Sequence, residues 1–293
     1  MTEAAAPAQQ PLVSPASTTG LLEVFRRRYL LRLLVRREVQ ARYSASVLGL
    51  LWSYINPLSQ FAIYYFVMGV LFHLHQNVPN FAIHMFCGII LVHFFNETLN
   101  AGTRSIVRNR GIVQKMAVPR EMFPVASMLV SAFHVVPQVI ILLVACFVTG
   151  WQPDAVGLVS AALGVLIIGT IGTALALVFS LANVYMRDMS NVVNVLTNFV
   201  RFGVLMIYPF SIVDERFGGH TQLYLANPLA DAVLLFQRGF WVGSTKDPAA
   251  TVASDLPPHL FERGLIALGA GLVLLVLAQL LFTRFENKIP ERL

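Results

Sequence analysis

Charged side chains are scarce in this chain, so the few that cluster carry most of its chemical capacity. Seven arginines, Arg26, Arg27, Arg28, Arg32, Arg36, Arg37 and Arg42, crowd one short segment. That segment leads into an apolar stretch, 47–72, that holds no Asp, Glu, Lys or Arg. Cations beside such a stretch meet anionic lipid headgroups. The stretch carries Asn56-Pro57 near its middle, and a second Asn-Pro pair, Asn227-Pro228, lies within LYLANPLADAVLLFQRGFWVG. Proline removes a helical hydrogen bond, so both pairs are expected to break a helix. Glu97 lies near the cytoplasmic end of an apolar run, flanked by Asn96 and Asn100. His93 and His134 fall inside apolar runs and are expected to be hydrogen-bonded packing residues. The neighbouring His73 and His75 are a weak metal signal, and no metal site is expected. Cys87 and Cys146 also lie in apolar runs, which points to small buried hydrophobes and not to a disulfide. No G-x-x-x-x-G-K-[ST], G-x-S-x-G, H-E-x-x-H or C-x-x-C motif occurs, so the chain carries no P-loop ATPase site of its own.

The elements that hold these residues are membrane helices. Of the 293 residues, 56% are hydrophobic and 12% charged, against about 25% charged in soluble domains. A net charge of +6 could indicate nucleic acid, but the basic residues sit beside apolar runs, so none is expected as a partner. An all-α polytopic membrane fold with six transmembrane helices is expected, at about Val47–Phe72, Phe81–Leu99, Phe123–Val148, Val156–Val184, Phe199–Val213 and Leu265–Phe282. Each run is judged against the roughly 20 residues a helix needs to cross the hydrocarbon core. Barrel strands would alternate instead. The first residues, 1–20, read as a disordered cytoplasmic tail, 21–46 as an interfacial amphipathic helix, and 47–293 as the six-helix domain. Val24, Leu31, Val35 and Val39 share one side of that amphipathic helix, with Arg28 and Arg42 interrupting it.

Lys and Arg distribute unevenly between the two sides. The segment before the first span, the loop holding Arg104, Arg108, Arg110, Lys115 and Arg120, and the tail with Arg284, Lys288 and Arg292 are all basic. The short turns on the other side carry none. Both termini are therefore expected in the cytoplasm, in a multi-pass plasma-membrane protein. Residues 214–262 are too apolar for a solvated loop and too short for two crossings, which suggests short re-entrant helices before the last span. Tyr224, Phe236, Phe240 and Trp241 cluster there, either as an interfacial aromatic belt or as the lining of a pathway. The spans are nearly charge-free, which argues against an ion relay. If the protein moves a solute, the energy enters from a partner. Two cytoplasmic segments could receive it. One is Ala101–Glu121, with a short basic helix over Ser105–Lys115. The other is Tyr185–Asn198, with the pair Arg187-Asp188. On composition alone, ordinary positive-inside charge is the favoured reading of both segments over docking of a partner.

Four segments in order resemble a known family. They are RYSASVLGLLWSYINPL, with Arg42, Tyr43, Ser46, Gly49, Trp52, Asn56 and Pro57; NRGIVQKMAVPREMFP, with Asn109, Lys115, Pro119, Arg120 and Pro124; YMRDM followed by IYPF; and LANPLADAVLLFQRGFWVG. Together they resemble the membrane subunits of ABC exporters of lipid-linked polysaccharide, the O-antigen and teichoic-acid type. Among these the chain is most similar to the actinobacterial exporter of cell-wall galactan. The resemblance implies two copies of this chain with two ATP-binding subunits, which would hold ATP and Mg, and no cofactor on this chain. It implies coupling contacts at Asn109, Lys115, Arg187 and Asp188. It also implies that the Arg-rich segment is a gate helix, with Arg36, Arg37 and Arg42 meeting the diphosphate of a polyprenyl carrier. A planar guanidinium suits phosphate oxygens; anchoring to lipid is the alternative role. Trp52, Tyr54, Tyr208 and Phe210 become candidates for the wall of a glycan path. A drug or small-lipid exporter of the same fold, a membrane enzyme acting on polyprenyl-linked sugars, and a passive channel are the competing functions.

Overall fold

A computed structural model describes residues 20–43, 49–116, 118–217 and 220–293. The expected tail, apart from Gly20, and residues 44–48, which hold Ser46 at the end of the expected interfacial helix and the start of the first span, lie outside the described residues. Among those described, the structure is helical throughout, with no strand.

The basic segment folds as α1 (Leu21–Arg26) and α2 (Arg28–Tyr43). Val24, Leu31 and Leu34 are buried, while Arg36, Arg37 and Arg42 stay exposed. A 3-10 turn at Gly49–Leu51 leads into α3 (Trp52–Tyr64), which continues as a π-helical segment, Tyr65–Leu71. The expected break at Asn56-Pro57 is absent: Pro57 is buried inside α3. A proline forfeits one hydrogen bond, and in a membrane helix neighbouring groups can absorb that loss. The departure from α geometry comes later, at Tyr65–Leu71, where the hydrogen-bond pattern widens.

After α4 (Leu74–Asn77), α5 runs from Phe81 to Arg108. It continues past Leu99, where the apolar run was expected to end. At 1.5 Å per residue its 28 residues span about 42 Å, more than the roughly 30 Å hydrocarbon core. Asn109 then breaks the chain direction, and α6 (Arg110–Lys115) follows. The basic helix expected over Ser105–Lys115 is thus split, with Ser105–Arg108 belonging to α5.

Helices α7 (Met122–Val148) and α8 (Ala155–Tyr185) form an antiparallel pair joined by a tight turn. Gly150 sits in the left-handed region, φ 78°. Its N–H donates to Phe147 O at 3.2 Å and that of Trp151 to Cys146 O at 3.0 Å, a glycine-ended helix cap that satisfies the terminal carbonyls. Asp154 then starts α8 by accepting from Gly157 N at 3.2 Å.

The expected fifth span, Phe199–Val213, is not one continuous helix. Helix α9 starts ten residues earlier and runs Met189–Gly203, so most of the expected second cytoplasmic loop is helical. Residues 204–209 are irregular and mostly buried, and α10 (Phe210–Phe217) follows. The residue before Pro209 is disfavoured in helical geometry, which keeps the two helices apart. The short helices α11 (Thr221–Tyr224), α12 (Pro228–Phe240) and α13 (Pro248–Asp255) precede the long α14 (Leu260–Phe285) and the terminal α15 (Ile289–Arg292). Asn227 caps α12 by accepting from Leu229 N at 3.1 Å, with Pro228 at the first turn.

Among the described residues, four helices, α5, α7, α8 and α14 with its 3-10 extension to Lys288, are long and apolar enough to cross a membrane. α5 and α8 hold the centre. α12 is buried along almost its whole length and packs against α5, α8 and α14. Small residues allow this: a Cβ at Gly164 of α8 would lie 2.5 Å from Ala232 O, and one at Gly239 of α12 would lie 2.7 Å from Gly157 O. Large apolar side chains are exposed on α3, α7, α9 and α14, among them Ile63, Phe147, Phe199 and Ile266.

Candidate functional site

Three helices converge on a cavity of about 240 Å³. The first, α3, contributes Trp52, Ser53, Asn56 and Pro57, with Gly49 just before it. From α5 come His93 and Glu97, and from α7 comes His134. Arg42, near the end of α2, also lines the cavity and donates to Glu97 Oε1.

The α5 pair follows from helix geometry: four residues apart, His93 and Glu97 lie on one face. Glu97 is 8% exposed and His134 is 3% exposed. His134 Nδ1 lies 2.7 Å from Glu97 Oε1. A carboxylate only accepts, so Nδ1 carries the proton in that bond. Gln138 Nε2 lies 2.8 Å from His93 Nδ1 and donates to His134 O at 3.1 Å. The two histidines are therefore hydrogen-bonded between α5 and α7. The other carboxylate oxygen, Glu97 Oε2, receives no hydrogen bond. His93 Nε2 is 3.8 Å from it, beyond hydrogen-bonding reach. Among the described residues, no group of three His, Cys, Asp or Glu side chains could hold a metal ion.

The structure treats the three arginines expected at a gate differently. Arg42 is tied to Glu97, so its charge is already met. Arg37 Nη1 donates to Asn109 Oδ1 at 3.3 Å. Arg36 is exposed. Asn109 is 6% exposed and donates from Nδ2 to Glu38 Oε1 and to Ser105 O, both at 3.0 Å. Arg108 Nη1 stands 3.8 Å from Glu38 Oε2. The basic helix α2 is thereby joined to the junction of α5 and α6. Lys115 is exposed at the end of α6, and Arg187 and Asp188 are exposed in the turn between α8 and α9.

The aromatic candidates also divide. Trp52 is 45% exposed and lines the cavity. Tyr54 is half-buried. Tyr208 donates to Phe202 O at 3.0 Å and its hydroxyl lies 3.0 Å from that of Tyr224. Phe210 is 6% exposed inside the main core and cannot form a path wall in this conformation, because its ring is packed at the start of α10. His93 and His134 were expected only as hydrogen-bonded packing residues, and Glu97 was given no role in a site. Their signal was the four-residue spacing of His93 and Glu97 inside an apolar run.

A bundle of long apolar helices, with a basic helix at one end and a polar cavity between its spans, defines a multi-pass membrane protein. The chain belongs to the ABC-2 type transporter family, whose profile matches residues 29–237. It is 29% identical over 219 residues to the O-antigen export system permease protein RfbA of Myxococcus xanthus, covering 75% of this chain and 83% of that protein. It is 24% identical over 265 residues to a Klebsiella pneumoniae protein of the same name, covering 89% of this chain and 94% of the relative.

Proposed function

We infer that the chain is the membrane subunit of an ATP-driven exporter of a polyprenyl-diphosphate-linked polysaccharide, a galactan, across the plasma membrane. The observation that carries this is the similarity to O-antigen export permeases along nearly the whole of both chains. The working unit is two copies of this chain with two ATP-binding subunits that hold ATP and Mg. Both termini are cytoplasmic, and the segments 49–71 and 189–213 complete six crossings. The short α11, α12 and α13 enter the membrane from outside without spanning it.

In this assembly α6 and the Arg187-Asp188 turn seat on the ATP-binding subunits, with Lys115 and Asn109 at or beside the contact. The hydrogen bond from Arg37 to Asn109 and that from Asn109 to Glu38 support a direct path from that contact to α2. Movement of α2 would then admit a lipid headgroup whose diphosphate meets Arg36 and Arg37. Exposed apolar side chains on α3 and α9 supply surface for the second copy.

Depleting the chain from its host tests this function. Lipid-linked galactan should accumulate on the cytoplasmic side, and the charge-reversing pair Arg187→Glu and Asp188→Arg should reproduce the accumulation while the chain remains in the membrane. Normal export after depletion would refute it, as would glycosyl transfer by the purified chain alone.

A further inference from the structure

Resting on the exporter function and on 189–213 as a crossing, we propose that the polar edge of α9 lines the passage for the lipid-linked glycan, with Arg201 as a contact for its diphosphate inside the membrane. Asn191, Asn194, Asn198 and Arg201 recur at intervals of three, four and three. At 100° per residue they fall within about 80° of arc, beside the buried Val193 and Thr197. All three asparagines are exposed, and none of their side-chain amides has a hydrogen-bond partner among the described residues. The opposite edge holds Val192, Leu196 and Phe199, which are exposed too. Lipid suits that apolar edge. It does not suit bare amides, because hydrocarbon offers them no hydrogen bond, so the polar edge faces water or a polar solute.

Arg201 closes this stripe at depth. The twelve residues from Met189 rise about 18 Å at 1.5 Å each, past the middle of a hydrocarbon core of roughly 30 Å. The other end agrees. Gln237 Nε2 donates to Leu205 O at 2.9 Å and to His84 O at 3.2 Å, so the chain just beyond Arg201 is level with the first turn of α5. Arg42 and Arg238 meet carboxylates, but Arg201 has no hydrogen-bond or ion-pair partner among the described residues. It is half-buried, and only its Nε is enclosed, which leaves the Nη groups open to a ligand. An unpaired cation inside a membrane is costly and marks a pathway. The anionic part of the transported lipid is its diphosphate, and a planar guanidinium fits phosphate oxygens. The sugars are hydroxyl-rich, and amides that both donate and accept serve each hydroxyl in turn. A headgroup admitted at Arg36 and Arg37 would meet Arg201 later, on its way outward.

The test uses the chain assembled with its ATP-binding subunit in lipid nanodiscs. The probe is a short-chain polyprenyl diphosphate bearing a disaccharide. Asn194→Cys, Asn198→Cys and Leu196→Cys are each treated with a hydrophilic maleimide; the native Cys87 and Cys146 are buried, and the unsubstituted chain sets the background. The two asparagine positions should label and Leu196→Cys should not, and the probe should protect Asn198→Cys. Arg201→Gln should raise the probe concentration for half-maximal stimulation of ATP hydrolysis about ten-fold, the loss of one charge-assisted hydrogen bond, and Arg201→Lys should raise it by less. The rise should be the same in nanodiscs of phosphatidylcholine alone and with added phosphatidylglycerol. A rise confined to phosphatidylglycerol would mean that Arg201 holds a resident anionic lipid, and would overturn the diphosphate contact. So would an unchanged concentration in Arg201→Gln, or in Arg201→Lys if the glutamine variant fails to assemble. Equal labelling of Leu196→Cys and Asn198→Cys, or no protection by the probe, would overturn the passage. If the probe does not stimulate the wild-type complex, protection of Asn198→Cys decides alone. The exporter function stands through all these results and falls only if depletion leaves export normal.

Discussion

Replacing Gly164 with alanine should loosen the helix pair that carries α12. The added Cβ would sit 2.5 Å from Ala232 O, with Leu235 Cβ at 3.5 Å. Ordinary contact begins near 3.4 Å, so the helices must part by about 0.9 Å, and the obstructing atom is backbone that cannot rotate away. Overpacking of this kind costs about 1–3 kcal/mol, while Gly→Ala inside a helix returns up to about 1 kcal/mol. The net loss is about 1–2 kcal/mol. Gly269→Ala on α14 is the matched control: its Cβ meets nothing within 4 Å, and it shares the intrinsic Gly→Ala gain. Thermal melting of the purified chain in detergent, at one fixed scan rate, reads the difference. Gly164→Ala should melt roughly 2–6 °C lower, and Gly269→Ala at or above wild type. Equal melting of the two variants would refute the close α8–α12 approach.

Three further outcomes follow from individual contacts. Asp154 both caps α8 and binds Arg238 with hydrogen bonds of 3.1 and 2.8 Å. Asp154→Asn, which keeps the cap, should therefore cost under about 1 kcal/mol of stability, and Asp154→Ala about 1–2 kcal/mol more by loss of the cap; equal losses in melting experiments would contradict the dual role. Asn109→Ala removes the bonds to Glu38, Ser105 and Arg37. It should cost about 1–3 kcal/mol and lower substrate-stimulated ATP hydrolysis more than basal hydrolysis; parallel loss of both would show no transmission through this junction. Burial pushes the Asp231 carboxyl up to about 6, against an opposing pull from Arg263. An acid raised in the folded state contributes its full stability below its unfolded value near 3.8, and that contribution is lost as pH rises through about 6. The melting point of wild type relative to Asp231→Asn should fall across that window, and a constant difference would refute the shift.

Much of the architecture was legible because its signals are local. The long apolar runs located α5, α7, α8 and α14 to within a few residues at most of their ends. Asn227-Pro228, expected as a helix break, falls where α12 begins. Misplacements came where local signals conflicted. The Asn-rich stretch after Asp188 looks like a loop, yet it is the polar part of α9. Asn56-Pro57 looks like a break, yet α3 absorbs it. Past Leu99 the polar residues of α5 resemble a cytoplasmic loop, yet they continue the helix, because backbone hydrogen bonding does not end where side-chain hydropathy does.

The candidate site shows the division most clearly. The sequence by itself determined that this is a helical membrane protein, with a basic segment beside its first apolar stretch and few ionisable groups to spend. Composition and periodicity settle such matters, because each span must satisfy its own backbone in lipid. Only the tertiary structure decided that Arg42 meets Glu97 across 55 residues and that His134 joins them from α7. It also decided that α12 is buried at the centre and not laid at the surface. These are consequences of helix packing, in which small residues such as Gly164 and Gly239 set how closely the helices approach.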